Sequence, residues 1–213
     1  MAILPYCVVL EESDVVAPET GVAEAEIFEL EEGGLRCFFS DVEGVPKDNE
    51  AIRKMALQFR DVIQSVFAEQ TTIPFRFVTL LHGERELRKF LREHSKKFLT
   101  ALQNLDGCVQ FELHLVRRNT AASDIPDAES GTEYLMQKKA EADVFETTSE
   151  LLRSSAGDLV RSWHFRAGDD DARCYALLRD NVDEFKRSLS KVKIPPELRV
   201  VLSGPWPPSE FVE

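Results

Sequence analysis

Long apolar runs are missing from these 213 residues. No stretch approaches the ~18 residues that a membrane helix needs, and the longest apolar segments are strand-sized. Basic residues are also in deficit: 26 Lys plus Arg against 38 Asp plus Glu leave a formal net charge of −12. Such a surface repels phosphates and anionic headgroups, so neither nucleic acid nor a membrane is an expected partner. The shortage is sharpest at the start. Residues 1 to 50 hold thirteen acids (Glu11, Glu12, Asp14, Glu19, Glu24, Glu26, Glu29, Glu31, Glu32, Asp41, Glu43, Asp48 and Glu50) against Arg36 and Lys47, a local net of −11. Two readings of that stretch stand, a solvated acidic face and a docking surface for a basic partner.

Cysteine is sparse and scattered. Cys7, Cys37, Cys108 and Cys174 form no C-x-x-C pair and each sits in an apolar, strand-like segment. They read as small buried hydrophobes rather than zinc ligands or disulfide partners. The four histidines, His82, His94, His114 and His164, show no H-x-x-x-H or H-E-x-x-H spacing. His94 falls on the apolar stripe of a helix, where a hydrogen-bonded core histidine is expected; His114 and His164 fall on strands that a shared sheet can bring together. Asp169, Asp170 and Asp171 read as a turn, since three consecutive acids point in different directions. No phosphate loop, dinucleotide turn or serine-hydrolase elbow occurs. The sequence therefore offers no catalytic residue, no cofactor site and no metal site. The opening Met-Ala-Ile-Leu-Pro-Tyr has no basic leader followed by an apolar run, which sets the expectation of a cytoplasmic protein.

What is present is regular patterning in a chain that is 43% hydrophobic and 30% charged, ordinary globular usage. Three β-rich segments, 5–10, 26–30 and 35–41, come first, the last two joined by Gly33-Gly34, a hairpin signal. Apolar residues at three- and four-residue steps predict a helix over 49–68 and a second over 84–105 stopped by Asp106-Gly107, and between them the β-branched and aromatic run 72–81, with Pro74 near its start, predicts a strand. Beyond it the order is strand 108–116, polar loop, helix 130–153, strands 160–166 and 173–178, helix 182–192 and strand 198–202. That β-α-β-β-α-β order matches a ferredoxin-like unit, an antiparallel sheet with both helices on one face. Asn181 and Glu184 predict a capping box for the last helix.

The fold expected is α+β with two domains and a tail: an N-terminal mixed sheet-and-helix domain over 1–107, a ferredoxin-like domain over 108–203, and a Pro-rich C-terminal tail over 204–213. In that tail Pro205, Pro207 and Pro208 favour a stiff polyproline-II strap. Trp206 and Phe211 are each worth about 1.5–3 kcal/mol on burial. Either the tail straps onto its own domains or it anchors a partner.

The segment Gly204-Pro205-Trp206-Pro207-Pro208, followed by Phe211-Val212, resembles the C-terminal signature of the GvpL/GvpF gas vesicle proteins. Ile73-Pro74-Phe75-Arg76-Phe77 is similar to a strand of that family. So are Ser130-Gly131-Thr132-Glu133-Tyr134-Leu135 with Lys138-Lys139, and Ser40-Asp41-Val42. Ser209-Glu210 and Thr132-Glu133 depart from the family pattern. The resemblance implies a non-catalytic accessory or minor structural protein of gas vesicle assembly. It would bind the small hydrophobic shell protein and other gas vesicle accessory proteins, in the cytoplasm and without cofactor. Oligomeric state stays open. The alternative is a small-molecule-sensing module or enzyme, because ferredoxin-like folds host many functions; it would need a pocket joining His114, His164 and carboxylates.

Overall fold

The structure is a computed structural model that describes residues 2–118, 131–168 and 170–212, with side chains not described over 131–142. Residues 119–130, where the polar loop and the start of a helix are expected, and Asp169 fall outside the described residues. Two compact units make up the chain, Met1–Cys108 with Trp206–Glu213, and Val109–Pro205. Each carries a four-stranded antiparallel sheet, so the fold is mixed α+β.

In the first unit β1 (Ala2–Leu10), β2 (Phe28–Glu32), β3 (Leu35–Val42) and β4 (Ile73–Pro74) pair in the order β2-β3-β1-β4. The β2–β3 hairpin turns at Gly33 and Gly34, whose φ values of 63° and 81° suit residues without a Cβ. Central β1 is buried along its whole interior. Its pairing with β3 shifts between Pro5 and Cys7, leaving Tyr6 as an extra residue, and this bulge lets Leu4, Tyr6, Cys7 and Val9 all join one core. Helix α1 (Asn49–Glu69) closes that face with Met55, Phe59, Val62, Ile63 and Val66. It starts where the Asp48 carboxylate accepts from the Glu50 and Ala51 amides, both at 3.0 Å. Val8 pairs with Cys37 on the opposite face. There α2 (Glu84–Asn104) packs on β1, β2 and β3, burying Leu87, Leu91, Ala101 and Leu102.

The strand expected over 72–81 is not continuous. Pairing lasts for Ile73–Pro74, and Leu81 returns in a single bridge to Ile3. Between them the chain turns, with Val78 at φ 63°, a conformation that ends an extended segment. Aromatic packing overrides β-propensity here: Phe75 lies 5.4 Å from the Phe90 ring and Phe77 lies 5.4 Å from Phe59.

In the second unit β5 (Val109–Arg117), α3 (Gly131–Ala156), β6 (Ser162–Ala167), β7 (Asp171–Leu178), α4 (Val182–Leu189) and β8 (Leu198–Trp206) form a sheet in the order β6-β7-β5-β8. Phe111, Leu113, Leu115, Cys174, Ala176 and Leu178 alternate onto the core face and meet Phe145 and Leu152 of α3 and Phe185 and Leu189 of α4. Asn181 does not form the expected side-chain cap. Its backbone is left-handed at φ 61° instead of the extended conformation of a capping residue, and α4 ends at Leu189.

The proline-rich end begins within a strand. Extended pairing continues through Gly204-Pro205-Trp206 as the last part of β8, and a single 3-10 turn follows at Ser209–Phe211.

Candidate functional site

Gly204 shows why one signature residue has to be what it is. A Cβ built there would stand 2.8 Å from the Gln110 carbonyl oxygen and 2.9 Å from Phe111 Cδ1, and its φ is 127°. Any side chain would push β8 off β5, so the glycine fixes the path of the chain into its last residues. Beyond it Pro205 is exposed, Trp206 is half-buried, and Pro207, Pro208 and Phe211 are buried. The turn is closed by Ser209 N–H donating to the Pro207 carbonyl at 2.8 Å and Phe211 N–H to Pro208 at 3.1 Å.

The other motif residues are placed by packing. Pro74 pairs with Cys7 at the sheet edge, where a missing N–H costs little. Phe75 and Phe77 are the aromatic contacts already described, and Arg76 between them is exposed. Gly131 opens α3 and Tyr134 lies in its first turns; the side chain of Tyr134 falls outside the described residues.

The reactive side chains have structural partners. His94 stacks between Phe90 and Phe98, at centroid distances of 4.2 and 5.7 Å, with Nδ1 2.9 Å from the Phe90 carbonyl. His114 Nε2 sits 2.5 Å from Asp171 Oδ2. His114 and His164 are not brought together: β7 runs between their strands, with Arg173 opposite His114 and Tyr175 opposite His164. On this same face Arg173 donates to Glu112 at 2.8 Å and the Arg166 guanidinium lies 5.5 Å from the Tyr175 ring centre. Among the described residues no three His, Cys, Asp or Glu side chains form a group able to hold a metal. The four cysteines are free thiols and buried. Burial pushes the Cys7 thiol up to about 12 and Cys174 up to about 11, and Cys37 also rises, which makes them poor nucleophiles.

Two side chains that belong to no sequence motif organise the first unit. Tyr6 hydroxyl donates to Ser40 Oγ at 3.0 Å and accepts from Val22 N–H at 2.9 Å. Desolvation raises its pKa above the ordinary phenol value. A Cβ on Gly21 would fall 2.2 Å from that hydroxyl oxygen. Arg36 binds the backbone carbonyls of Glu11 (2.8 Å), Ser13 and Val15 (3.5 Å), with Glu29 and Glu31 carboxylates at 3.6 and 3.8 Å. The signal for Arg36 was in the composition, as one of two cations among thirteen acids; nothing local in the sequence marks Tyr6.

Fold and surfaces together define a mixed α+β protein in which the four cysteines are buried, His94 is stacked between phenylalanines and His114 is held by Asp171, and in which no helix of the described residues is long and apolar enough to cross a membrane. The family model for gas vesicle synthesis protein GvpL/GvpF matches residues 2–213, and the chain belongs to that family. Gas vesicle protein F of Haloferax mediterranei is 24% identical, covering 96% of this chain and 91% of that protein. Gas vesicle protein F1 of Halobacterium salinarum is 22% identical, covering 96% and 90%. The crystal structure of GvpF from an Anabaena species aligns with a TM-score of 0.76 at 11% identity, covering 100% of this chain and 96% of that one. GvpF from Microcystis aeruginosa aligns at 0.72 and 11%, covering 100% and 99%. At such identities these two structures establish the fold alone.

Proposed function

We infer that the protein is a non-catalytic accessory or minor structural component of gas vesicle assembly, acting in the cytoplasm by binding the hydrophobic shell protein and other gas vesicle accessory proteins. The observation that carries this reading is the family match over residues 2–213, which leaves no part of the chain for an unrelated catalytic domain. Sheet edges at β2, β6 and β8 supply a physical means, since an edge strand can pair with a partner segment. The second unit reads as ferredoxin-like: its β-α-β-β-α-β order and β6-β7-β5-β8 arrangement fit that plan, with a working division at 1–107, 108–203 and 204–213. In the last segment Pro207, Pro208 and Phe211 dock the tail, while Pro205 and Trp206 are the candidates for partner contact.

Co-expression with the shell protein followed by pull-down tests the reading. Recovery of the shell protein supports it. Normal vesicle formation after removal of this gene, with no paralogue compensating, overturns it.

A further inference from the structure

Helix α2 concentrates positive charge in a chain of net charge −12, carrying Arg85, Arg88, Lys89, Arg92, Lys96 and Lys97 against Glu84, Glu86 and Glu93. Arg85, Lys89, Arg92 and Lys96 recur at helical spacing and form one stripe of about 16 Å. It lies opposite the buried Leu87, Leu91 and Leu102. Lys89 and Arg92 are 74% and 70% exposed, paired with Glu93 at 3.8 Å and Glu32 at 3.1 Å. Among the described residues no carboxylate pairs with Arg85 or Lys96.

The same unit holds a preformed acidic counterpart. Arg36 draws the carbonyls of Glu11, Ser13 and Val15 inward, and Glu11 N–H donates to Gly34 at 3.0 Å. The loop is thereby fixed with Glu11, Glu12 and Asp14 exposed. Two shallow grooves of about 540 and 550 Å³ flank it and share Leu10 and Glu12; one adds Glu11 and Glu31, the other Asp14 and Glu69. Carboxylates beside Leu10 in these largely polar grooves suit the charged head and the aliphatic stem of lysine or arginine.

We propose that the cationic stripe of α2 docks on the Glu11–Asp14 loop of a second copy of this chain. Stripe and loop are different surfaces, so the contact is heterologous and runs head to tail, extending into a ring or a filament instead of closing as a twofold dimer.

Sedimentation of the full chain over a concentration series tests this at about 10 mM and about 1 M NaCl, where the screening length is about 30 Å and about 3 Å. At low salt the average mass rises beyond dimer with concentration, and at high salt it returns to monomer. Lys89→Glu with Lys96→Glu weakens association about tenfold or more, as does Glu11→Lys with Glu12→Lys, both at exposed positions. Mixing the two variants restores pairing, since one keeps the loop and the other keeps the stripe. A wild-type chain that stays monomeric at low salt overturns the proposal. So does association that stops at a dimer, that is unchanged in the stripe variant, or that fails to return in the mixture.

Discussion

The two sheets have four strands each, but their central strands are written differently. In β1 the run Leu4-Pro5-Tyr6-Cys7-Val8-Val9 is apolar throughout and buried throughout. In β5 the run Phe111-Glu112-Leu113-His114-Leu115 alternates, and so does its burial: the apolar residues are buried and Glu112 and His114 are half-buried. A strand with packing on both faces has no position for a charge, whereas a strand with both helices on one side keeps polar residues on the other. The first sheet accordingly has α1 on one face and α2 on the other, and the second has α3 and α4 together.

The contrast breaks most sharply under charge insertion. Val8→Asp puts an unpaired carboxylate on the α2 side of β1 and should destabilise the first unit by about 4 kcal/mol or more, read by urea denaturation. A loss under 1 kcal/mol would mean that this face is open like that of the second sheet. Gly204→Ala comes next. Its Cβ meets the Gln110 carbonyl at 2.8 Å with φ at 127°, and the expected cost is about 2–3 kcal/mol, seen as a lower melting temperature. Tyr6→Phe removes the hydroxyl shared by Ser40 and Val22 without creating a large cavity, and should cost about 1–2 kcal/mol.

Alkaline titration sharpens the same comparison. Burial raises Cys7 in the first unit to about 12 and Cys174 in the second to about 11. Between pH ~9 and those values the folded chain keeps protons that the unfolded chain releases, so stability is full below pH ~9 and falls above it. Each thiol contributes a slope of up to about 1.4 kcal/mol per pH unit. In Cys7→Ala the slope of unfolding free energy against pH should be shallower; an unchanged slope would show that this thiol is not desolvated. The smallest effect belongs to Glu112→Gln, which weakens a partly exposed pair with Arg173 on the polar face of the second sheet and should cost under about 1 kcal/mol.

Much of this was legible beforehand because the periodicities are strong. Phe59, Val62, Ile63 and Val66 announce α1, and Leu87, Leu91 and Leu102 announce α2, at helical spacing. Gly33-Gly34 announced its hairpin. The tail signature pointed to the family, and the match over residues 2–213 agrees. Two of the misses, the strand after Pro74 and the extent of β8, depend on contacts distant in sequence, and the third is a local backbone conformation. Aromatic partners in α1 and α2 broke the strand after Pro74. A left-handed backbone at Asn181 removed a cap. At Gly204 close approach to β5 carried β8 into the prolines.

Composition and spacing by themselves determined the acidic balance, the helices, most of the strands and the absence of the searched catalytic motifs, because those depend on local pattern and on charge summed along the chain. Tertiary structure alone decided that Tyr6 is a bulge residue tied to Ser40 and Val22, that Arg36 turns the 11–15 loop inward by its carbonyls, and that His114 faces Asp171 while β7 separates it from His164. Those facts are set by which strands and loops meet, and residues 16 to 57 positions apart carry no local signal of meeting.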